Sequence, residues 1–398
     1  MEQGRRYDHY RSVFRGRRKP FAFVDLDLLD ANAAAIVKRA GGKSVRIASK
    51  SVRSVALLRR LLEKHAAFRG VMCFSAAEAV FLSGNGLDDL LVAYPAWDEA
   101  AVAPVCAELN RGRRIILMVD CPEHVRHLGT LAKRSGVRLP VCLDIDMSSR
   151  FLGLHFGVRR SPVATAEQAA ALAEAVRQEG MLSLEGLMGY EAQVAGLADD
   201  VPGQALKSAL LRWLKRRSIK EVSRRRAAIV RALTDHGHAL RFVNGGGTGS
   251  LETTGAEPCV TEVTAGSGFY SPALFDGYRA FRHLPAAGFA IEITRRPAAG
   301  LYTCHGGGYV ASGSSGPDRL PRPYLPPGAR LLPSEGAGEV QTPIRYRGPV
   351  GLELGDPVFL RHAKAGELCE RFSTLLLVSG GRVVDEVATY RGDGQCFL

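Results

Sequence analysis

Phe21-Ala22-Phe23-Val24 runs into Asp25-Leu26-Asp27, then Leu28-Leu29-Asp30-Ala31-Asn32-Ala33-Ala34-Ala35-Ile36-Val37, and Ser44-Val45-Arg46-Ile47-Ala48-Ser49 ends on Lys50. The first run is apolar and short, the second has helical spacing, and the third is again strand-like. A strand-helix-strand unit that delivers a lysine at the carboxyl end of a strand places an amine where α/β barrels keep their chemistry. Such an amine becomes a nucleophile when burial or a nearby cation lowers its pKa, and Arg46 and Arg53 are the cations close in sequence. A surface lysine that merely follows a strand is the alternative, and the downstream residues decide between the two.

Working outward, strand-like and helix-like segments alternate as far as about Tyr270. Arg69 to Phe74, Leu90 to Tyr94, Arg114 to Val119, Leu139 to Ile145, Leu184 to Met188, Leu240 to Val243 and Val260 to Val263 read as strands. Helical patterns over Ala76 to Gly84 and Trp97 to Leu109 lie among them. The spacing is βα-like and the count is near eight, so an α/β fold with a (β/α)8 TIM barrel is the economical solution. A doubly wound open sheet is the rival, but no GxGxxG follows the first strand. Past Phe275 the texture changes to glycine, proline and short alternating strands. Ser379-Gly380-Gly381 joins Leu375–Val378 to Arg382–Asp385 as a hairpin. Residues 21–275 are therefore expected to form the barrel, and 276–398 with residues 1–20 a C-terminal antiparallel β domain that includes a strand before Pro20. The proline-rich stretch 317–333 reads as a surface loop.

Bulk properties agree with two domains: 398 residues, 46% hydrophobic and 23% charged, is an ordinary globular composition. No apolar run reaches membrane-spanning length, and Met1 to Arg18 lacks the apolar core of a secretory signal. The formal charge of +13 is concentrated between Lys207 and Arg226. There Leu210, Leu211, Trp213, Leu214 and Ile219 alternate with Arg212, Lys215, Arg216, Arg217, Lys220, Arg224, Arg225 and Arg226, as in a solvated amphipathic helix. Without a nucleic-acid motif, the charge suits steering of small anions, and no nucleic-acid or membrane partner is expected. Eight scattered cysteines without a CxxC pair suit a reduced cytoplasmic protein.

Asn244-Gly245-Gly246-Gly247-Thr248-Gly249 follows a late strand. Glycines there let backbone N–H groups approach an anion, and the Thr248 hydroxyl adds a donor. Ala265-Gly266-Ser267-Gly268 comes one strand later and completes a cradle of the kind barrels build after their seventh and eighth strands. An early lysine plus a late phosphate cradle is what a pyridoxal phosphate enzyme needs.

Here the chain resembles the fold-type III pyridoxal phosphate enzymes, in the branch of D-threonine aldolases and eukaryotic-type D-serine dehydratases, with alanine racemase more distant. The likeness runs through Phe23–Asp27 and Asn32, Arg46–Ser51, Glu78, Asp88–Pro95, the stretch Asp144-Ile145-Asp146-Met147-Ser148-Ser149-Arg150, Gly186–Glu191, Gly245–Gly249, and Glu262 leading into Gly266-Ser267. It implies a cofactor, pyridoxal 5'-phosphate, held as an internal aldimine by Lys50, which then serves as the base on one face. Arg150 would approach the ring's phenolic oxygen, with an ion pair to Asp144 or Asp146 as the plain alternative. Tyr190 would sit at the ring or the substrate, or else pack in the core. Gly246, Gly247, Thr248, Gly266 and Ser267 would hold the phosphate, and Arg53 could assist with phosphate or carboxylate. In alanine racemases an arginine faces the pyridine nitrogen; here Thr264 occupies that position, which implies an unprotonated ring and a modest electron sink.

The C-terminus departs from the branch's pattern. Its metal-binding His-x-Cys pair follows a Gly-Asp dipeptide, which Gly355-Asp356 matches, but the metal positions fall at Lys364 and Gly366, or at His362 and Lys364. Cys369 lies outside the spacing. No metal residue is therefore expected, and the ammonium of Lys364 would take the metal's place against a substrate hydroxyl. The implied function is a lyase on D-β-hydroxy amino acids, by aldol cleavage or by dehydration and deamination, in a homodimer. Two alternatives stand beside it. One is a racemase whose second base is a tyrosine such as Tyr270, Tyr278 or Tyr302. The other is a non-catalytic cofactor-binding protein, such relatives being a barrel alone.

Overall fold

The computed structural model describes residues 6–151 and 153–398; residues 1–5, assigned above to the β domain, lie outside them. Two compact units divide the chain. Among the described residues, one comprises 36–49, 58–151, 153–266 and 397–398, the other 6–35, 50–57 and 267–396.

The first unit is a closed barrel of eight parallel strands. In order around it run Ser44–Ala48, Phe68–Cys73, Leu90–Val92, Ile115–Val119, Leu139–Asp144, Leu182–Gly189, Phe242–Gly245 and Glu262–Ala265. Helices follow the strands, as parallel pairing requires a crossover between neighbours. Their starts are locally encoded: Ser75 accepts from the Glu78 amide while the Glu78 carboxylate takes the Phe74 N–H at 2.7 Å. Apolar side chains of Leu91, Ile116, Met118, Cys142, Met188 and Phe242 fill one core cluster. Arg46 adds a charged one, binding both oxygens of Glu262 at 2.7 and 3.0 Å and the Asp89 carbonyl at 2.7 Å.

The second unit holds a nine-stranded sheet. Its path is Arg330–Leu331, Gln341–Arg345, Leu301–His305, Ala287–Ala298, Phe21–Asp25, Thr374–Ser379 and Arg382–Ala388, with Arg322–Leu325 and Pro357–Arg361 paired beside it. All pairs are antiparallel except Phe21–Asp25 with Thr374–Ser379, so the sheet is mixed.

Three expectations are corrected here. Phe21–Asp25 lies in the sheet, not the barrel: a strand buried on both faces reads as the same apolar run in either setting. The residues before Pro20 form a helix, Tyr7–Val13, instead of a strand. Its Tyr10 hydroxyl donates to Asp25 at 3.0 Å and its ring packs on Phe14, Phe23 and Phe359. Finally, the proline-rich stretch contains the strand Arg322–Leu325, which pairs with Pro357–Arg361. No helix of the described residues is long and apolar enough to cross a membrane.

Candidate active site

In the barrel unit the strand Phe242–Gly245 leads into the glycine turn. Gly246 takes a positive φ of 77°, and the Gly247 amide donates to the Ser250 hydroxyl at 3.1 Å. A Cβ on Gly247 would stand 3.1 Å from both the Ala195 methyl and the Tyr190 ring edge. The tyrosine therefore lies directly against the turn, and any side chain at Gly247 would crowd it.

What holds the turn was invisible to sequence reasoning. Glu191, next to Tyr190, accepts from the hydroxyls of Ser250 at 2.7 Å and Thr254 at 2.5 Å, and from the Gly246 amide at 3.4 Å. Its charge is met by Arg226 at 2.7 Å, which also donates to the Gly189 carbonyl and pairs with Glu257. Arg226 is fully buried and Lys215 nearly so, paired with Asp199, so these two do not belong to the solvated face expected of helix Ala205–Asp235. Arg226 shares a stripe with Leu214, Ser218, Val222, Ile229 and Leu233, and that register was the available signal.

Tyr190 carries a neutral phenol, its pKa pushed up to about 12 by burial first and by the Glu191 charge second. The Arg160 guanidinium lies 5.6 Å from the ring centroids of both Tyr190 and Tyr94. Sequence reasoning missed Arg160. Arg150, which it selected, is exposed in the hairpin Ser149–Phe151 with Leu154–Phe156. Among the described residues Arg150 has no ion pair with Asp144 or Asp146. Asp144 ends a barrel strand, and its carboxyl is raised to about 7 by burial, then by Asp120, with Arg160 acting in the opposite direction. Thr264 is buried and exchanges hydrogen bonds with the Asn244 amide at 2.9 and 3.1 Å. Three side chains of kinds able to ligate a metal also converge in this unit: Asp120, Cys121 and His124. None of them is a position weighed from the sequence.

In the sheet unit Lys50 sits on a single 3-10 turn, Ser49–Ser51, immediately after the strand Ser44–Ala48 in the chain. That turn is tied down from several directions. Arg53 donates to the Lys50 carbonyl at 2.9 Å and pairs with Glu370. The Tyr270 hydroxyl donates to the Val52 carbonyl at 2.8 Å. A Cβ on Gly366 would stand 2.7 Å from the Lys50 carbonyl oxygen, so the loop bearing Lys364 packs on the turn. The Lys364 ammonium donates to the Ser312 hydroxyl at 2.9 Å. Ser267 begins the short helix Ser267–Tyr270, its hydroxyl 3.4 Å from that of Ser51, and Gly266 ends the barrel segment before it.

Two sequence-derived roles change. Arg46 and Arg53 are not free cations for Lys50, because Glu262 and Asp89 neutralise the first and Glu370 the second. His362 is buried with Nε2 2.7 Å from the Ala365 carbonyl, and burial lowers its pKa to about 4. Cys369 is likewise buried, its thiol raised to about 12 and bonded to the Val52 carbonyl. Of the racemase tyrosines, Tyr270 is committed to Val52, Tyr278 stacks on Phe275, and Tyr302 lies under Arg296.

The family model described as alanine racemase, N-terminal domain, matches residues 24–272. The chain belongs to that family. Within it, the 3-hydroxy-D-aspartate aldolase of Paracoccus denitrificans is 25% identical over 250 residues, 62% of this chain and 59% of that protein. A D-threonine aldolase of Arthrobacter sp is 24% identical over 220 residues, 54% of this chain and 52% of that one. The matches thus span under two thirds of the length of these relatives. Among solved structures, D-threonine aldolase from Filomicrobium marinum superposes with a TM-score of 0.80 at 20% identity, covering 94% of this chain and 95% of that one. D-threo-3-hydroxyaspartate dehydratase from Delftia sp. HT23 gives 0.73 at 19%, covering 94% and 98%. These likenesses show the fold: a family barrel with a further sheet unit.

Proposed function

We propose that the protein is a pyridoxal phosphate-dependent lyase acting on β-hydroxy amino acids of D configuration. The observation that carries this reading is the turn at Lys50, an exposed lysine whose backbone is tied down directly after a barrel strand, in a chain of this family. The residues present suit the cofactor. Gly246 and Gly247 put no side chain over the turn, whose shape is held by Glu191 on the Gly246 amide and Ser250 on the Gly247 amide, and a Cβ at Gly247 would crowd Tyr190. When bound, the cofactor supplies an aldehyde that condenses with amines and a ring that accepts the electron pair left at Cα.

The chain's own residues supply the rest. Lys50 Nζ is the amine that substrate displaces; afterwards it takes the Cα proton in dehydration, or returns a proton to Cα in aldol cleavage. Gly246, Gly247, Thr248, Gly266 and Ser267 are assigned to the phosphate. Tyr190, protonated at neutral pH, is a hydrogen-bond donor and not a base. Arg160, held against two tyrosine faces, is a better placed guanidinium than Arg150 for an anionic oxygen of cofactor or substrate. Thr264 puts a neutral residue, and no cation, at the position assigned to the ring nitrogen; its one hydroxyl proton is held by Asn244 Oδ1. Lys364 is assigned to the substrate's β-hydroxyl, whose proton must leave in aldol cleavage and whose oxygen must leave in dehydration. Since the cysteines are scattered and Cys73, Cys106, Cys121, Cys142, Cys259, Cys304 and Cys369 form no disulfide, a reducing cytoplasm is the compartment we assign, with the protein as a homodimer.

The deciding experiment incubates wild type and Lys50→Ala with a panel of D- and L-β-hydroxy amino acids. Glycine plus aldehyde, or keto acid plus ammonia, formed from D substrates by wild type alone supports the reading. Formation of the mirror-image amino acid would make the protein a racemase, and turnover by Lys50→Ala would remove the lysine from the chemistry.

A further inference from the structure

We propose that Asp120, Cys121 and His124 form a binding site for a first-row divalent metal ion of the zinc class. One carboxylate oxygen, one sulfur and one imidazole nitrogen, from a run of five residues, lie within 4.8 Å of one another. Around a tetrahedral zinc ion, with bonds of about 2.0–2.3 Å, ligand atoms stand about 3.6 Å apart. The Asp120 oxygen and His124 Nδ1 are 2.9 Å apart, so they must separate only slightly to admit the ion. Oxygen, nitrogen and thiolate together are a donor set that favours zinc over magnesium or calcium.

The backbone presets this arrangement. Asp120 is the first residue after the strand Ile115–Val119, Cys121 is the N-cap of the helix Pro122–Ser135, and His124 lies one turn in. Residues three apart share a helix face, which puts Cys121 and His124 on one side of the helix start. Pro122 at the first helical position stiffens the entry. Few degrees of freedom remain to be frozen by an ion.

The surroundings favour a cation. Asp120 and Asp146 both act on the buried carboxyl of Asp144, against the single charge of Arg160. Trp97 stands edge-on to the His124 ring at 5.9 Å and stacks on His127 at 4.3 Å, forming an aromatic wall. Asp120 and His124 keep 12% and 18% of their side-chain surface, so an ion can enter yet meets partly desolvated ligands. Glu123 is a further carboxylate beside the Cys121 sulfur, although it also pairs with Arg126 at 2.9 Å. A simple Asp–His hydrogen bond is the competing description of the cluster. Binding deprotonates the Cys121 thiol, forming a metal–sulfur bond and releasing one proton to solvent. Three ligands leave a fourth position for water or a ligand oxygen, the pattern of open zinc sites.

Cobalt(II) is the probe, because a thiolate ligand gives it a charge-transfer band that oxygen and nitrogen ligands do not. The full chain should bind one cobalt with that band, and one equivalent of zinc should displace it. Cys121→Ser should abolish the band, and His124→Ala should weaken binding by about 100-fold or more. Asp120→Asn keeps the side chain's shape while removing its charge, so its weaker binding separates ligand loss from misfolding. Cobalt uptake without a thiolate band, or a band that survives in Cys121→Ser, overturns the proposal. Because the readout is spectral, failure of the lyase reading leaves it untouched.

Discussion

At the level of single residues, the legible part of the site was whatever chemistry is local in the chain. Lys50 at a strand end and the run Gly246-Gly247-Thr248 announce themselves by spacing. Glu191 and Arg160 do not, because their partners are tens of residues distant. Gly247 gives a sharp test. Alanine there places a methyl 3.1 Å from Ala195 and Tyr190, an overpacking worth about 1–3 kcal/mol. Thermal denaturation should show that loss, and a cofactor titration should show weaker retention, whereas wild-type behaviour in both would deny the close approach a role. His362 gives another. Its folded pKa of about 4 lies below the unfolded value, so the unfolded chain binds the extra proton between the two. The stabilisation is therefore complete above about pH 6.5 and is lost as pH falls toward 4. From 6.5 to about 4, at about 1.4 kcal/mol per pH unit, the ceiling is about 3 kcal/mol. Urea unfolding at several pH values should show this acid sensitivity in wild type and a flatter dependence in His362→Gln; identical slopes would sink the assignment.

Among the elements, helix Ala205–Asp235 shows where charge patterns mislead. Its arginines and lysines read as one solvated face, yet Arg226 falls on the apolar stripe and pairs with the buried Glu191. Composition cannot reveal this, since a buried cation is distinguished only by carboxylates waiting on other segments. Strand positions fared better, because eight buried β segments with helical spacers leave few alternatives. The Arg226–Glu191 pair makes the glycine turn depend on a helix that never touches the ligand in our reading. Removing one partner strands a buried charge, at a cost of about 3–5 kcal/mol. Arg226→Met should therefore unfold at markedly lower denaturant and lose cofactor affinity, while the double variant with Glu191→Leu should recover part of the stability but not the affinity. Full stability in Arg226→Met would show that the pair contributes nothing.

For the whole molecule, the informative surprise is Phe21–Asp25, apolar enough for a barrel strand and found in the sheet. Its neighbours explain it: the helix Tyr7–Val13, which no period in the sequence advertised, covers Phe23 and Phe359 with Tyr10. Tyr10→Ala removes a fully buried ring and should cost the sheet unit about 3–5 kcal/mol. Whether the barrel unit follows depends on the chain path. Helices Leu26–Arg39 and Val55–Lys64 each begin in the sheet unit and end in the barrel unit. A continuous helix cannot lose half its turns without weakening the rest, so the two units are expected to unfold together. Both tryptophans, Trp97 and Trp213, lie in the barrel unit and report on it alone. In Tyr10→Ala, tryptophan fluorescence and far-ultraviolet circular dichroism should shift to the same lower midpoint. A fluorescence midpoint left at the wild-type value would show two independently folding bodies and break the argument from the shared helices.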